Sequence, residues 1–348
     1  MTVTIVEAAR GVTGGVDTHL DVHVAAALDP LGGLLGSRSF ETSPAGFSEL
    51  LGWLESFGAV SRVGVEGTGA YGAGLARFLR RAGVEVLEVD RPNRAVRRRG
   101  GKSDPLDAIE AARAVLSGRA QGQAKTRDGA VEAIRVLLVA KRSARQARGK
   151  AIMQMRHLGF TAPDQLRCQL KGLSVSALVT EGTKLGPGPA CDPVTAATRA
   201  SLCSLAERAR TLESEIAVLD DQIGPLVSAT APELLGLFGV GPDTAATLLV
   251  AAGDNPGRLR SEAAWAHLCG VAPIQASSGK VTRHRLDRGG NRQANAALFR
   301  IVLVRMAHDP DTRAYVERRT KEGRSKLEVI RILKRYVARE VYRHLPRR

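Results

Sequence analysis

The sequence has few aromatic residues, few cysteines and no long apolar stretch. Phe, Trp and Tyr together make up only 4% of the 348 residues, which argues against a single-strand binding protein that stacks bases on aromatic rings. The four cysteines have neither the Cys-x-x-Cys nor the Cys/His spacing of a zinc site, so we expect free thiols. Because no apolar run reaches about 18 residues and no signal-peptide pattern is present, we expect a soluble, cytoplasmic protein without a membrane partner.

Acidic residues are also scarce relative to basic ones. The chain has 51 Lys and Arg against 35 Asp and Glu, a formal net charge of +16 and a pI of about 10.4. Such a charge attracts phosphate polymers and steers their approach. With 44% hydrophobic residues the chain can build two or three cored domains rather than remain disordered.

The first 122 residues have the element order of an α/β domain. Short apolar runs bounded by glycine predict three strands in hairpin succession, at residues 12–16, 22–28 and 34–40. Helical and strand patterns then alternate, with helices predicted at 44–57, 75–82 and 105–116 and strands at 62–66 and 84–89. Three antiparallel strands followed by alternating helix and strand is the order of a ribonuclease-H-like (RuvC-like) domain.

Strand patterns disappear after about residue 127. A helix is predicted to about Leu158, and Gly186-Pro187-Gly188-Pro189 interrupts the helical pattern before a second long helix. That helix has an a/d heptad seam of apolar residues from Leu202 to Leu226. Two interpretations fit the seam equally: a helix packed on its own chain, or a dimerising coiled coil. We therefore predict a helical coiled-coil segment over residues 123–230.

Residues 231–348 predict a mainly α-helical, strongly basic C-terminal domain. It opens with Gly239-Val240-Gly241 followed directly by a helix, which resembles a helix-hairpin-helix motif that holds a backbone phosphate. A plain interhelical turn accounts for this pattern equally well.

Four carboxylates are candidates for a metal site. Asp17 and Glu66 each end an apolar strand, where an acid has no capping role and needs a partner. Asp104 and Asp107 share one face at the start of a helix. Together the four could hold two Mg²⁺ ions for phosphoryl transfer. An alternative is that Asp104 is an N-cap and Asp107 a favourable first-turn acid with no catalytic role.

A second candidate site is a glycine-bounded serine loop surrounded by cations. Ser277-Ser278-Gly279 could bring a hydroxyl to a phosphorus atom, with neighbouring guanidinium groups binding the phosphoryl charge. The same three residues also fit an ordinary surface turn. A basic run precedes the Asp104 helix as well. From local charge we predict nucleic-acid contacts at Arg97, Arg98, Arg99, Lys102, Lys280, Arg283, Arg285, Arg288 and Arg292.

Taken together, these motifs resemble the IS110-family transposases. The resemblance extends over most of the chain and rests on four segments within it. They are Gly15-Val16-Asp17 with His19, Val65-Glu66-Gly67-Thr68-Gly69-Ala70-Tyr71, Lys102-Ser103-Asp104-Pro105-Leu106-Asp107-Ala108, and Cys269-Gly270-Val271-Ala272-Pro273 through Ser278-Gly279-Lys280 to Gly290-Asn291.

This resemblance implies a RuvC-like domain with an Asp-Glu-Asp-Asp set at Asp17, Glu66, Asp104 and Asp107, followed by a C-terminal transposase domain. It implies a Mg²⁺-dependent DNA recombinase in which Ser278, with Ser277 as the alternate, forms a covalent phosphoserine link to DNA. It further implies guidance by a structured RNA, and a homo-oligomer in which the acidic site and the serine meet between protomers.

Two other functions fit the residues. One is a RuvC-like junction nuclease that keeps the metal site but uses activated water in place of the serine. The other is a non-catalytic nucleic-acid-binding protein in which Asp104 and Asp107 only stabilise a helix terminus. Variants of Ser278 and Asp17 distinguish these functions. The junction nuclease needs the carboxylates but not the serine, and the binding protein needs neither the serine nor the carboxylates.

Overall fold

The computed structural model describes residues 11–89, 103–186, 192–280, 284–285, 287 and 289–346. The chain divides into two compact units. The first contains residues up to 129 together with 252–261, and the second contains 130–251 and 262–346. Within the described residues, no helix is both long enough and apolar enough to span a bilayer.

The first unit is built on a six-stranded mixed sheet with the strand order β3-β2-β1-β4-β5-β6. β1 pairs antiparallel with β2 and parallel with β4, and only the short edge strand β6 had no counterpart in the sequence prediction. The strands are β1 Gly11–Thr18, β2 Val22–Leu28, β3 Leu34–Glu41, β4 Ala59–Glu66, β5 Glu85–Val89 and β6 Gly122–Gln123. This arrangement confirms the predicted RNase H-like fold.

Among the residues that the structure describes, three helices cover the two faces of this sheet: α1 Pro44–Glu55, α2 Ala73–Arg81 and α3 Asp104–Leu116. One face packs on α1 and α2 through leucines such as Leu50, Leu54 and Leu79. The other packs on α3 through its alanine-rich side, which includes Ala108, Ala111 and Ala112. Because neighbouring residues of a strand point to opposite faces, odd-numbered positions of β1 face α3, and so do the even-numbered positions of β4 from Arg62 onward, after the register shift between the two strands.

Two glycines allow α3 to lie directly on the sheet. A Cβ on Gly15 of β1 would overlap the carbonyl oxygen of Ala108 and the backbone nitrogen of Ala112. A Cβ on Gly64 of β4 would lie 2.8 Å from the carbonyl oxygen of Ala111. Asp17 is two residues beyond Gly15 and Glu66 is two beyond Gly64, so both acids are on the face that α3 covers.

Gly15→Ala is therefore expected to destabilise the protein. The added methyl meets helix backbone, which cannot rotate away, so we expect a loss of about 1–3 kcal/mol and a lower thermal midpoint. Gly52→Ala is the matched control, because Gly52 is an exposed position inside α1 with nothing within 4 Å of an added Cβ. That change should instead stabilise the helix by about 0.5–1 kcal/mol. Equal thermal midpoints for the two variants would contradict the close packing of α3.

The second unit begins with two long helices, α4 Ala130–Thr161 and α7 Pro193–Thr230. They run antiparallel, as the ion pair between Arg148 and Glu213 and that between Lys141 and Asp220 show. The shorter helices α5 Asp164–Leu170 and α6 Val175–Lys184 connect them and pack with Met155 and Leu202.

The heptad seam of α7 is occupied within the chain. Its a-type positions, Leu202, Ala209, Ile216 and Ile223, are buried, and α4 forms the most extensive contact that α7 makes. The d-type positions, such as Leu205 and Leu212, are only partly buried. Intrachain packing thus accounts for the buried half of the seam, and dimerisation through α7 stays a prediction.

A helical bundle completes the second unit. Its helices are α8 Pro232–Leu235, α9 Pro242–Ala252, α10 Glu262–Leu268, α11 Arg292–His308, α12 Pro310–Lys321 and α13 Lys326–His344. Buried Lys141 of α4 pairs with Asp220 of α7 and with Asp243 at the start of α9, so one ammonium group connects three helices. A two-stranded hairpin, β7 Ile274–Gln275 and β8 His284–Arg285, lies between α10 and α11.

Candidate metal centre

The candidate metal centre lies where β1 and β4 end. The two strands are parallel, with Val16 opposite Val65, so Asp17 and Glu66 follow at adjacent strand ends. The hydroxyl of Thr18 donates a hydrogen bond to the carbonyl oxygen of Glu66 at 2.8 Å and joins the two ends. Sheet register therefore brings together two acids that are 49 positions apart in the sequence.

Helix α3 adds two more acids to this edge. Ser103 has the extended backbone of the N-cap residue, and Asp104 is the first residue of the helix, so Asp104 is not the N-cap that one sequence interpretation assigned to it. Asp107 is buried in the first turn, with 6% of its surface exposed. Asp104 and Asp107 are thus available to face the strand ends over which α3 packs.

His19 connects the strand and the helix. Its Nε2 lies 3.2 Å from Oδ2 of Asp17 and 3.5 Å from Oδ2 of Asp104. One ligand atom each from Asp17, His19 and Asp104 lie within 4.8 Å of one another. Among the residues described, Glu66 and Asp107 do not belong to this closest set, although both lie at the same edge. These positions are compatible with a divalent metal ion.

Electrostatics at Asp17 show that this edge is crowded with negative charge. Burial raises the pKa of the Asp17 carboxyl group above its usual value, and the carboxylates of Asp107 and Asp104 act in the same direction. The hydrogen bond and charge of His19 oppose this rise. Since burial and like charges both disfavour the carboxylate form, a bound cation would relieve both effects.

The chemistry of these donors fits a hard divalent cation. Carboxylate oxygens are the ligands that Mg²⁺ and Mn²⁺ prefer, and Mg²⁺ usually binds through one or two carboxylates together with substrate phosphates. Asp17 and Asp104 supply such oxygens, whereas the imidazole of His19 is better suited to a later transition metal. His19 was missing from the predicted ligand set. The signal that could have identified it is its spacing of two residues from Asp17, immediately after the end of β1.

The predicted serine lies in the second unit. Ser277 and Ser278 are exposed beyond β7, and Ser278 directly precedes a turn in which Gly279 has a φ of +58°. Residues with a side chain rarely adopt this left-handed backbone conformation, so glycine suits the turn. Of the predicted nucleic-acid contacts, Lys280, Arg285 and Arg292 are exposed. Arg97, Arg98, Arg99, Lys102, Arg283 and Arg288 lie outside the described residues.

Comparison with known proteins supports the resemblance in two segments of the chain, the first of which includes most of α4. Residues 14–158 match the model of a DEDD-type IS110 family described as "Transposase". Residues 231–317 match one described as "Transposase IS116/IS110/IS902 family". A relative named "Insertion element IS110 uncharacterized 43.6 kDa protein", from Streptomyces coelicolor (strain ATCC BAA-471 / A3(2) / M145), is 34% identical over 152 residues. That match covers 43% of this chain and 36% of the relative. The chain belongs to the IS110 family of transposases.

Proposed function

We propose that this chain is a DNA transposase and site-specific recombinase that cuts and rejoins strands by phosphoryl transfer. The observation that carries the proposal is the convergence of Asp17, Asp104 and His19 at one sheet edge, with Asp107 and Glu66 beside them. Family membership and the net charge of +16 support a DNA substrate.

In this mechanism Asp17, Glu66, Asp104 and Asp107 hold one or two Mg²⁺ ions. When bound, the metal polarises phosphoryl oxygens and stabilises charge on the attacking and leaving oxygens. Burial of Asp17 and Asp107 keeps water away from the carboxylates and strengthens their electrostatic effect. When no metal is bound, the imidazole of His19 orients Asp17 by a hydrogen bond at 3.2 Å and lies 3.5 Å from Oδ2 of Asp104.

We assign the nucleophile to Ser278, with Ser277 as the alternate. The Ser278 hydroxyl loses its proton and its oxygen forms a bond to phosphorus, while one bridging bond from phosphorus to a sugar oxygen breaks. The released sugar oxygen takes up a proton. Rejoining is the reverse reaction, in which a sugar hydroxyl attacks the phosphoserine and restores the serine hydroxyl. The exposed position of Ser278 at a turn supports access of a phosphodiester.

Two further features follow from the resemblance and belong to the same proposal. One is a structured guide RNA, with which the excess of positive charge is compatible. The other is a homo-oligomer, a dimer or tetramer, in which the acidic site and the serine meet between protomers. The proposed location is the cytoplasm, on nucleoid DNA.

A denaturing gel tests the proposal. The purified chain is incubated with Mg²⁺, the DNA end of the element and its flanking RNA, and we expect protein covalently attached to DNA. Cleaved ends without attached protein would favour a junction nuclease that uses water. Absence of cleavage with intact binding would favour the non-catalytic binding protein.

A further inference from the structure

A cavity of about 290 Å³ lies at the base of the β7–β8 hairpin, within the second unit. One wall is the loop of residues 270–273, which leads from α10 into β7. A second wall is β8 with Asp287, and the third is one side of α13. The cavity therefore adjoins the hairpin whose turn carries Ser278, without including that serine.

The cavity wall contributed by α13 carries more positive than negative charge. Arg335 is neutralised, because its guanidinium group pairs with both carboxylate oxygens of Glu262, at 3.0 Å for one contact. Arg331 and Lys334 have no ion pair among the described residues. Lys334 is half-buried, and its Nζ donates to the neutral amide oxygen of Asn295 at 2.9 Å. The charge of Lys334 is thus held in place without being cancelled.

The same side-chain amide also anchors the loop opposite. Nδ2 of Asn295 donates to the carbonyl oxygens of Cys269 at 2.8 Å and Gly270 at 3.1 Å. Asn295 therefore connects the loop of residues 270–273 to the ammonium group of Lys334. A cation positioned in this way loses little side-chain entropy when an anion binds.

Two acidic groups near these cations are engaged elsewhere. Asp287 lies on the cavity wall, but Oδ1 accepts from the backbone nitrogen of Gly289 at 2.8 Å, and Oδ2 lies 3.6 Å from Nδ1 of His267. Glu328, one turn before Arg331, accepts from the backbone and hydroxyl of Ser325 in a capping box. These bonds are the main cause that lowers its pKa, and the charges of Arg324 and Arg331 add smaller effects. Burial lowers the pKa of Lys334 and the charge of Arg331 adds to this effect, as expected for cations without a counter-ion.

The remaining lining combines apolar and polar groups. Val271, Pro273, Ile332 and Tyr336 contribute its apolar and aromatic part, and the exposed His284 and Arg285 contribute the wall formed by β8. A surface with two cations that form no ion pair among the described residues, beside apolar groups, matches a sugar-phosphate unit, in which the phosphate is charged and the sugar carries apolar edges.

We propose that this cavity binds a phosphodiester group of the DNA strand that the serine hairpin engages, with Arg331 and Lys334 as its counter-charges. The inference rests on the proposed function in taking DNA as the substrate, but it does not depend on which serine is the nucleophile. Arg331 and Lys334 would hold a phosphate that flanks the reacting one and so fix the position of the strand.

Fluorescence anisotropy tests the cavity without requiring any chemistry. The full chain is titrated into a labelled 30-base-pair duplex of the element's end in EDTA. We expect Arg331→Gln and Lys334→Gln each to weaken binding on the order of tenfold at about 0.1 M salt, and to reduce the log–log salt slope by about 1. Lys321→Gln is the control, because Lys321 is exposed on α12 and paired with Glu317. Its affinity should stay within about twofold of wild type.

Further variants and controls distinguish failure of the cavity assignment from failure of the proposed function. Arg331→Gln leaves the hydrogen bond between Lys334 and Asn295 in place, and Lys334→Arg keeps the positive charge. Reduced DNA affinity of Arg331→Gln together with near-normal affinity of Lys334→Arg would support a phosphate contact rather than misfolding. If wild type binds DNA and both glutamine variants bind like Lys321→Gln, the cavity assignment is wrong while the proposed function stands. If the wild-type protein does not bind DNA, both the cavity assignment and the proposed function are wrong. If affinity falls only for an RNA hairpin of equal length, the assignment to DNA is overturned.

Discussion

Asp17→Asn is expected to lower the rate of Mg²⁺-dependent DNA cleavage by at least about 10³-fold, because metal-assisted charge stabilisation supplies several kcal/mol of the barrier. Asp17 contributes the buried carboxylate oxygen around which His19 and Asp104 converge. An amide oxygen carries no full charge and binds Mg²⁺ far more weakly. Initial cleavage rates, measured over a range of Mg²⁺ concentrations, test this expectation.

The same variant should not lose stability or DNA binding. Because burial and neighbouring carboxylates disfavour the ionised form of Asp17, replacing it with a neutral group removes repulsion, so the thermal midpoint of the metal-free protein should not fall. Asp21→Asn is the matched control, since Asp21 is an exposed acid in the following turn. It should cleave at nearly the wild-type rate. Normal cleavage by Asp17→Asn would remove the carboxylate site from the mechanism.

Ser278→Ala is expected to abolish the covalent protein–DNA adduct and to lower strand cleavage by at least about 10⁴-fold, because it removes the attacking oxygen. Ser278 is exposed, so the substitution should change the free energy of unfolding by less than about 0.5 kcal/mol. DNA affinity should also be unchanged. Denaturing gels and anisotropy on the same preparation separate loss of chemistry from loss of binding.

Ser277→Ala is the natural control for this prediction. The two serines are adjacent and both are exposed, so the two substitutions should disturb the fold equally little. Only substitution of the nucleophile should abolish adduct formation. Adduct formation by Ser277→Ala at nearly the wild-type level would support Ser278. Loss of the adduct in Ser277→Ala alone would transfer the role to Ser277. Full cleavage by Ser278→Ala without an adduct would favour a nuclease that uses water.

Much of the first unit could be predicted because its signals are local. Alternating apolar residues and bounding glycines identify β1, β2 and β3, and Asp17 and Glu66 stand out as acids at the ends of apolar strands. The close approach of α3 could not be predicted in the same way. It depends on Gly15 and Gly64 meeting the helix backbone across the sheet, and no local pattern distinguishes these glycines from turn glycines.

The features that the sequence did not predict depend on long-range contacts. Residues 252–261 begin at the last residue of α9 but belong to the first unit. There Asn255 donates to the carbonyl oxygen of Ala124 at 3.0 Å, and Arg258 donates to that of Gln123 at 3.2 Å. The heptad pattern of α7 shows an apolar seam but does not show that the buried half of this seam packs within the chain, mainly on α4. The cavity beside the β7–β8 hairpin likewise depends on Asn295 linking a loop to α13.

Mass spectrometry of the protein–DNA adduct tests the central claim most directly. Wild-type protein is allowed to react with Mg²⁺, the element's DNA end and its flanking RNA, and is then digested with protease and nuclease. The account predicts one modified peptide that carries a nucleotide through a phosphoester at Ser278, and no such peptide from Asp17→Asn. A nucleotide attached at another residue, or cleaved DNA with no modified peptide, would contradict it.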